Sequence, residues 1–210
     1  MTILDYEREG AAIYTRSFAT IRAEADLSKV ASDLEPVVVR MIHACGDVDI
    51  VHAIAASNDL VVSARAALKA GRPIWCDSNM VAHGITRSRL PTDNPVRCSL
   101  NDIGVIEAAR VAGNTRSAVA VERWLKDLDG AVAVIGNAPT ALFRLLELVL
   151  DGAARPAAII GIPVGFVGAA ESKIALSTIA HGVPYLTLHG RRGGSAIAAA
   201  AVNALASSKE

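Results

Sequence analysis

Short runs of apolar residues alternate with longer amphipathic segments through most of the chain. Two runs, at 131–135 and 157–162, consist almost entirely of alanine, valine and isoleucine, and leucines recur at helical spacing between them from Leu142 onward. Strands that are apolar throughout are typical of a sheet covered on both faces. The alternation predicts an α/β fold: a doubly wound, mostly parallel sheet with helices on both faces.

The first 45 residues lack this alternation and predict a helical N-terminal lead-in. We expect one helix over residues 5–24 and a second within 28–45, where Pro36 fits only in the first turn. About six strands are then predicted, at 47–56, 73–77, 96–100, 131–135, 157–162 and 184–188. No linker divides the 210 residues, so we expect a single domain over residues 1–210.

The charge balance narrows the class of partner. Twenty-one basic and 21 acidic residues give a net charge near zero, so no bulk field would recruit nucleic acid or an anionic membrane. The N-terminus is polar rather than a signal peptide, and no apolar run reaches the roughly 18 residues of a membrane helix. Three scattered cysteines give no metal-ligand spacing and favour reduced thiols in a cytoplasmic protein.

The predicted strands end in small, polar or glycine-rich segments. In doubly wound sheets the ligand binds outside the carboxyl ends of the strands. The segments expected there are 57–58, 77–79, 136–137, 163–168 and 190–195. The glycine-rich fingerprints of dinucleotide and phosphate-loop enzymes are absent, as are the HExxH and GxSxG motifs.

The segment 190–195 (GRRGGS) is the strongest candidate for anion binding. Arg191 and Arg192 precede Gly193 and a predicted helix N-terminus, where backbone N–H groups suit phosphate or carboxylate. A flexible, solvated turn is the alternative. Arg116 could clamp a carboxylate or form a surface ion pair, and Thr86 could present a hydroxyl or cap a helix.

A histidine and an arginine share one face of the second predicted helix. Arg40 and His43 are three residues apart, and Gly46 is placed to end the helix. The negative end of the helix dipole favours a protonated imidazole. His43 is therefore either a reactive group or an exposed or capping histidine, and spacing alone does not decide.

The first predicted helix carries a hydroxyl on its apolar face. Tyr14, Ser17, Phe18 and Ile21 follow helical spacing. Ser17 either bonds back to a helix carbonyl or, with Tyr14, lines a pocket.

Five segments together resemble the precorrin-8X methylmutase family of cobalamin biosynthesis. They are IYTRSF at 13–18, RMIHACGD at 40–47, GNAPTAL at 136–142, PVGFVGAAESK at 163–173 and GRRGGS at 190–195. They occur in order and span nearly the whole chain, which is more specific than any one of them.

The resemblance implies an isomerase that moves a methyl group from ring carbon 11 to carbon 12 of precorrin-8X, giving hydrogenobyrinic acid. It implies that His43 protonates or hydrogen-bonds the ring C nitrogen, that no metal or organic cofactor is needed, and that the protein is a homodimer with its site near the interface. The substrate's many carboxylates call for arginines and neutral donors. The candidate substrate-binding residues are Tyr14, Ser17, Arg40, Thr86, Arg116, Arg191, Arg192 and Gly193.

Two other interpretations fit the same sequence. One is a corrinoid-binding or carrier protein without turnover, which would bind the same ligand but form no product. The other is an unrelated doubly wound enzyme acting on a nucleotide, which nucleotides rather than corrinoids would stabilise.

Overall fold

A computed structural model describes residues 4–207. The six strands form one sheet in the order β1-β6-β5-β4-β2-β3. They are β1 (Ile54–Ala56), β2 (Ile74–Cys76), β3 (Val96–Arg97), β4 (Val132–Ile135), β5 (Ala158–Gly161) and β6 (Tyr185–Leu188). The α-helices are α1 (Gly10–Glu24), α2 (Glu35–Cys45), α3 (Leu60–Lys69), α4 (Asn79–Gly84), α5 (Val105–Ala112), α6 (Arg116–Glu122), α7 (Pro139–Leu150), α8 (Ala169–Thr178) and α9 (Ser195–Ala206).

Helices cover both faces of the sheet, which confirms the predicted fold class. One apolar layer joins α1, α2, α3, α4 and α9 to strand residues such as Val132, Val134 and Ile160. The other joins α6, α7 and α8 to the alternate strand residues, including Ala133 and Ile159. Because successive side chains of a strand point to opposite faces, strands buried on both sides are apolar at every position.

The first strand departs from the prediction in extent and direction. Residues Val48–Ala53 form a 3-10 helix, so only Ile54–Ala56 of the predicted strand pairs with the sheet. This short strand runs antiparallel to β6, whereas the other neighbouring strands are parallel. Ser57 and Asn58 therefore lie at the amino edge of the parallel strands, where the Ser57 hydroxyl accepts the Tyr185 N–H at 3.0 Å. This removes one of the five segments expected at the ligand-binding edge.

Local backbone conformation sets several helix boundaries, one of which differs from the prediction. Helix α1 begins at Gly10 rather than near residue 5, because Glu9 has an extended backbone. Helix α5 begins at Val105, since Gly104 adopts a left-handed conformation with φ of +84°. Between Thr115 and Leu128 the chain forms two helices, α6 and a 3-10 helix, Arg123–Lys126.

Helix α2 matches its prediction at both ends. Pro36 occupies its first turn, and the left-handed Gly46, with φ of +68°, ends it just after His43. All residues of α9 except Ala196 are buried, most of them alanines, and α2 packs closely against this helix. Within residues 4–207, no helix combines the length and the apolar character needed to cross a membrane.

Candidate active site

Helices α1 and α2 bring the predicted histidine and hydroxyl together. The Ser17 Oγ lies 2.9 Å from His43 Nδ1, a hydrogen bond between residues 26 positions apart. The Tyr14 and Phe18 rings flank the imidazole, with centroid distances of 5.5 Å and 5.1 Å. Ser17 therefore bonds to the candidate reactive group rather than back to its own helix.

The hydrogen bond to Ser17 fixes which edge of the imidazole is free to act. A hydroxyl can donate to a neutral Nδ1 or accept from a protonated one, so Ser17 matches both charge states of the ring. With Nδ1 engaged, Nε2 is the nitrogen available to a ligand. Arg40 lies on the same side, its guanidinium carbon 5.3 Å from the centre of the Phe18 ring.

A buried carboxylate organises the carboxyl edge of the central strands. Asp77, which follows β2, accepts backbone N–H groups of Gly136, Asn137 and Ala138 at 2.7–2.9 Å. Burial raises the pKa of Asp77, and these donors partly offset the rise. Asp77 thus occupies the backbone donors of the turn that leads into α7. The next residue, Ser78, meets Ser195 at the start of α9, with hydroxyl oxygens 3.2 Å apart.

The loop formed by residues 190–195, here called the arginine loop, packs directly on the backbone after β5. A Cβ atom at Gly193 would lie 2.5 Å from the carbonyl oxygen of Pro163 and 2.6 Å from that of Ile162. The Gly194 N–H also donates to Ile162 O at 2.9 Å. Gly193 is therefore a position of close backbone approach, where no side chain fits.

The two arginines of this loop have different surroundings. The Arg192 Nη1 lies 2.7 Å from Asp47 Oδ2, which joins the arginine loop to the residue after the α2 cap. The Arg191 guanidinium carbon lies 5.3 Å from the centre of the Phe166 ring, which is 84% exposed. Both arginines are exposed, and the Arg192 ion pair brings them to the end of α2 that carries His43.

A fully buried lysine lies behind the arginine loop. Lys173 on α8 is 0% exposed, and its Nζ donates to the carbonyl oxygen of Arg192 at 2.6 Å. Burial lowers its pKa to about 8. The sequence assigns no role to Lys173 or to Asp47, because nothing in their spacing shows which loop they contact.

Two of the predicted site residues lie apart from His43 within the chain. The Thr86 N–H donates to Asn203 Oδ1 at 2.8 Å, near the end of α9, whereas the arginine loop precedes the start of that helix. Asn203 is eight positions after Ser195 on α9, a rise of about 12 Å. Arg116 begins α6 in the opposite layer, beside α7, where the Thr115 and Thr140 hydroxyls lie 2.8 Å apart.

The surface around α1 is open rather than enclosed. A groove of about 480 Å³ runs along Tyr14, Phe18 and Arg22, and another of about 360 Å³ borders Ser17 and Ile21. Within residues 4–207, no group of three or more His, Cys, Asp or Glu side chains is arranged to hold a metal ion. The site's polar groups are thus one imidazole, hydroxyls and arginines on an exposed surface.

The sequence model of the precorrin-8X methylmutase family matches residues 12–208. The chain belongs to the precorrin-8X methylmutase family. It is therefore an isomerase, a methylmutase of cobalamin biosynthesis. The match includes all five segments that carry the resemblance.

Individual relatives and a solved structure agree with the family model. The chain is 59% identical to the precorrin-8X methylmutase of Pseudomonas aeruginosa, covering 99% of this chain and 100% of that protein. It is 58% identical to that of Sinorhizobium sp, covering 96% of each. The crystal structure of precorrin-8X methylmutase from Thermus thermophilus superposes with a TM-score of 0.84 at 38% identity, covering 93% of this chain and 94% of that one.

Proposed function

We propose that this chain converts precorrin-8X to hydrogenobyrinic acid, moving a methyl group from ring carbon 11 to carbon 12. In this proposal His43 donates a proton or hydrogen bond to the ring C nitrogen. The observation that carries it is the Ser17–His43 hydrogen bond, beside an arginine loop suited to carboxylates. Relatives with 58–59% identity are named for precorrin-8X, and those named for cobalt-precorrin-8, such as that of Salmonella typhimurium at 41%, are more distant. The metal-free substrate is therefore our choice.

The chemistry requires little beyond a positioned acid. The bond from the methyl group to carbon 11 breaks as the bond to carbon 12 forms, so the shift needs no oxidant and no second reactant. Protonation of a ring nitrogen makes the neighbouring carbons electron-poor, and imidazole exchanges protons near neutral pH. A positioned general acid contributes roughly 10²–10⁴ in rate. We propose on these grounds that no metal or organic cofactor takes part.

The arginines would hold the ring by its carboxylates. Arg191 and Arg192 extend from a loop that packs at Gly193 against the carbonyl oxygens of Ile162 and Pro163, which supports their role as positioned anion donors. The half-exposed Tyr14 ring beside His43 provides an apolar surface for a conjugated ring, and the buried Phe18 packs behind it. Arg40 and Tyr14 would contribute on the His43 side of the ligand.

Replacement of His43 tests the reaction. We expect His43→Ala to lower the rate of product formation by about 10²–10⁴ while binding of hydrogenobyrinic acid is largely retained. The measurement is the absorbance spectrum of purified protein incubated with precorrin-8X, in which the orange product appears.

His52→Ala is the matched control, because His52 is exposed and lies at the other end of the 3-10 helix after α2. It should turn over as wild type does. Unchanged turnover by His43→Ala would remove the assigned role of His43. Wild-type protein that binds the ring but never forms product would instead fit a corrinoid carrier.

We further propose a homodimer with the site near the interface. Helix α1 buries only Phe18 and Ile21 of its 15 residues and leaves Tyr14 50% exposed, although it carries candidate site residues. A second copy that covered α1 could also supply Thr86 and Arg116, which lie apart from His43 in one chain.

We also propose a cytoplasmic location, which is supported by the unpaired cysteines Cys45, Cys76 and Cys98.

Mixing two inactive variants tests the shared site. If one chain provides His43 and its partner Arg116, then refolded mixtures of His43→Ala and Arg116→Ala should regain activity at about a quarter of the sites, by random pairing into dimers. Light scattering measures the molar mass of the same samples. Activity that stays at the level of the separate variants would argue that each chain forms its own site.

A further inference from the structure

Lys173 is a buried cation without a carboxylate partner within residues 4–207. Its side chain is 0% exposed, and the ion pairs of the described residues do not include it. Lysine is almost never fully buried unless it is paired, because desolvation of its ammonium group is costly. Its observed partner is the Arg192 carbonyl oxygen, 2.6 Å from Nζ. Because burial of this ammonium group is unfavourable and the group donates to the arginine loop, we expect Lys173 to have a role in that loop.

The charged groups around Lys173 leave its charge uncompensated. The arginine loop contributes two more cations, Arg191 and Arg192, and the latter is paired with Asp47. Glu171 lies on the same helix but is exposed. On the elements packed against α8, Arg144 of α7 pairs with Glu122 and Glu147, and Tyr185 is the titratable residue of β6. The site therefore has an excess of positive charge that an anionic ligand would neutralise.

We propose that Lys173 is a positioning residue for substrate binding, which holds the Arg192 carbonyl from behind the arginine loop and so directs Arg191 and Arg192 toward the ligand's carboxylates. This inference rests on the proposed function only in that the ligand is a polycarboxylate. At Gly193 the loop already packs on the carbonyl oxygens of Ile162 and Pro163, which limits its movement toward them, and the Lys173 hydrogen bond fixes the preceding peptide. Together they hold the backbone on both sides of the Arg192 side chain.

The charge on Lys173 also predicts a pH dependence. Burial lowers the pKa of Lys173 to about 8, so most molecules carry the charge at pH 7.5 and few do at pH 9.5. A bound polycarboxylate favours the charged form and raises this pKa, so affinity is greatest below pH 8 and falls as pH rises above it. The stability of the ligand-free protein changes with pH in the opposite direction. Because the unfolded chain binds the Lys173 proton more tightly than the folded protein does, the free energy of unfolding rises between pH 8 and 10.5.

The test compares Lys173→Met with Lys69→Met in the full-length protein. Met has a similar length but neither donates a hydrogen bond nor carries charge, and Lys69 is exposed in the last turn of α3. Titration with hydrogenobyrinic acid at pH 7.5 should show about tenfold weaker binding for Lys173→Met, with Lys69→Met unchanged. Between pH 7.5 and 9.5 the affinity of wild type should fall more steeply than that of Lys173→Met.

A second measurement separates positioning from general destabilisation and from ligand identity. Hydrogen exchange in the ligand-free protein reports the Gly194 amide, which is bonded to Ile162 O in the same loop. Lys173→Met should speed exchange at residues 190–195 while the midpoint of thermal unfolding stays at or above that of wild type. Unchanged exchange, or equal affinity and equal pH dependence, would overturn the proposal. Failure of wild type to bind the corrinoid would refute the proposed function instead, and the exchange result would still stand.

Discussion

Helix α1 and the arginine loop carry site residues on very different supports. Helix α1 presents Tyr14 and Ser17 on a surface helix that buries only two of its 15 residues. The arginine loop presents Arg191 and Arg192 on six residues held by backbone carbonyls on one side and by a buried lysine on another. Tyr14 and Ser17, which contact the imidazole of His43, thus lie on the less constrained element, and the anion-binding arginines lie on the more constrained one.

The difference suggests a division of tasks between the two regions. A loop that packs closely on neighbouring backbone can set the position of a large ligand, since small displacements of a binding group are costly in rate. Helix α1 then needs only to keep one hydrogen bond, from Ser17 to His43, and two ring contacts in place. A second subunit packed on α1 would remove the remaining freedom.

In the comparison of these two regions, the larger effect should come from adding a side chain at Gly193, where none fits. A Cβ atom in Gly193→Ala would clash with two backbone carbonyl oxygens, so the loop must move away from Ile162 and Pro163. We expect kcat/KM to fall by about 10²-fold, mainly through KM, because Arg191 and Arg192 are displaced. Steady-state assays of product absorbance measure the change.

The matched control is a glycine in the other region. Gly10 begins α1 and does not need a left-handed backbone, and a Cβ atom added there would have no other atom within 4 Å. Gly10→Ala should keep wild-type kinetics and equal or higher thermal stability, since alanine favours a helix. Similar losses in both variants would show that the two regions are equally constrained.

Regular elements were predictable because each depends on nearby residues. The apolar runs of β4 and β5 and the leucine spacing of α7 indicated type and approximate bounds, and Gly46 marked the end of α2. The 3-10 helix before β1 was missed because its apolar residues suit either structure. The antiparallel direction of β1 depends on pairing with β6, some 130 positions later, which no local pattern encodes.

The candidate site was predictable by residue type more than by contact. Spacing placed His43 and Arg40 on one face of α2 and Ser17 on the apolar face of α1, but the packing of these helices against each other decides that Ser17 meets His43. Lys173 shows the limit most clearly. A lysine after a glycine-rich turn is typical of surface charge, and only the path of the arginine loop across α8 makes it a buried donor.

A smaller effect is expected from removing the hydroxyl on α1. Ser17→Ala leaves the imidazole in contact with Tyr14 and Phe18 but deprives Nδ1 of its partner, so the ring is free to rotate and to change tautomer. We expect kcat to fall about tenfold with little change in KM, the size of one hydrogen bond to a group that becomes charged. Ser17→Ala should therefore change kcat, whereas Gly193→Ala should change KM. This difference is expected if α1 orients His43 and the arginine loop binds the ligand.

The control for this variant is Thr20→Ala, which removes an exposed hydroxyl from the same helix. It should leave both kinetic constants unchanged, and ¹⁵N NMR of the histidine ring should show a shifted tautomer balance in Ser17→Ala alone. An increase in KM without a loss of kcat would mean that Ser17 binds the ligand rather than orients His43. Helix α1 would then share the task assigned to the arginine loop, and its loose packing would require the second subunit to be in place before the substrate binds.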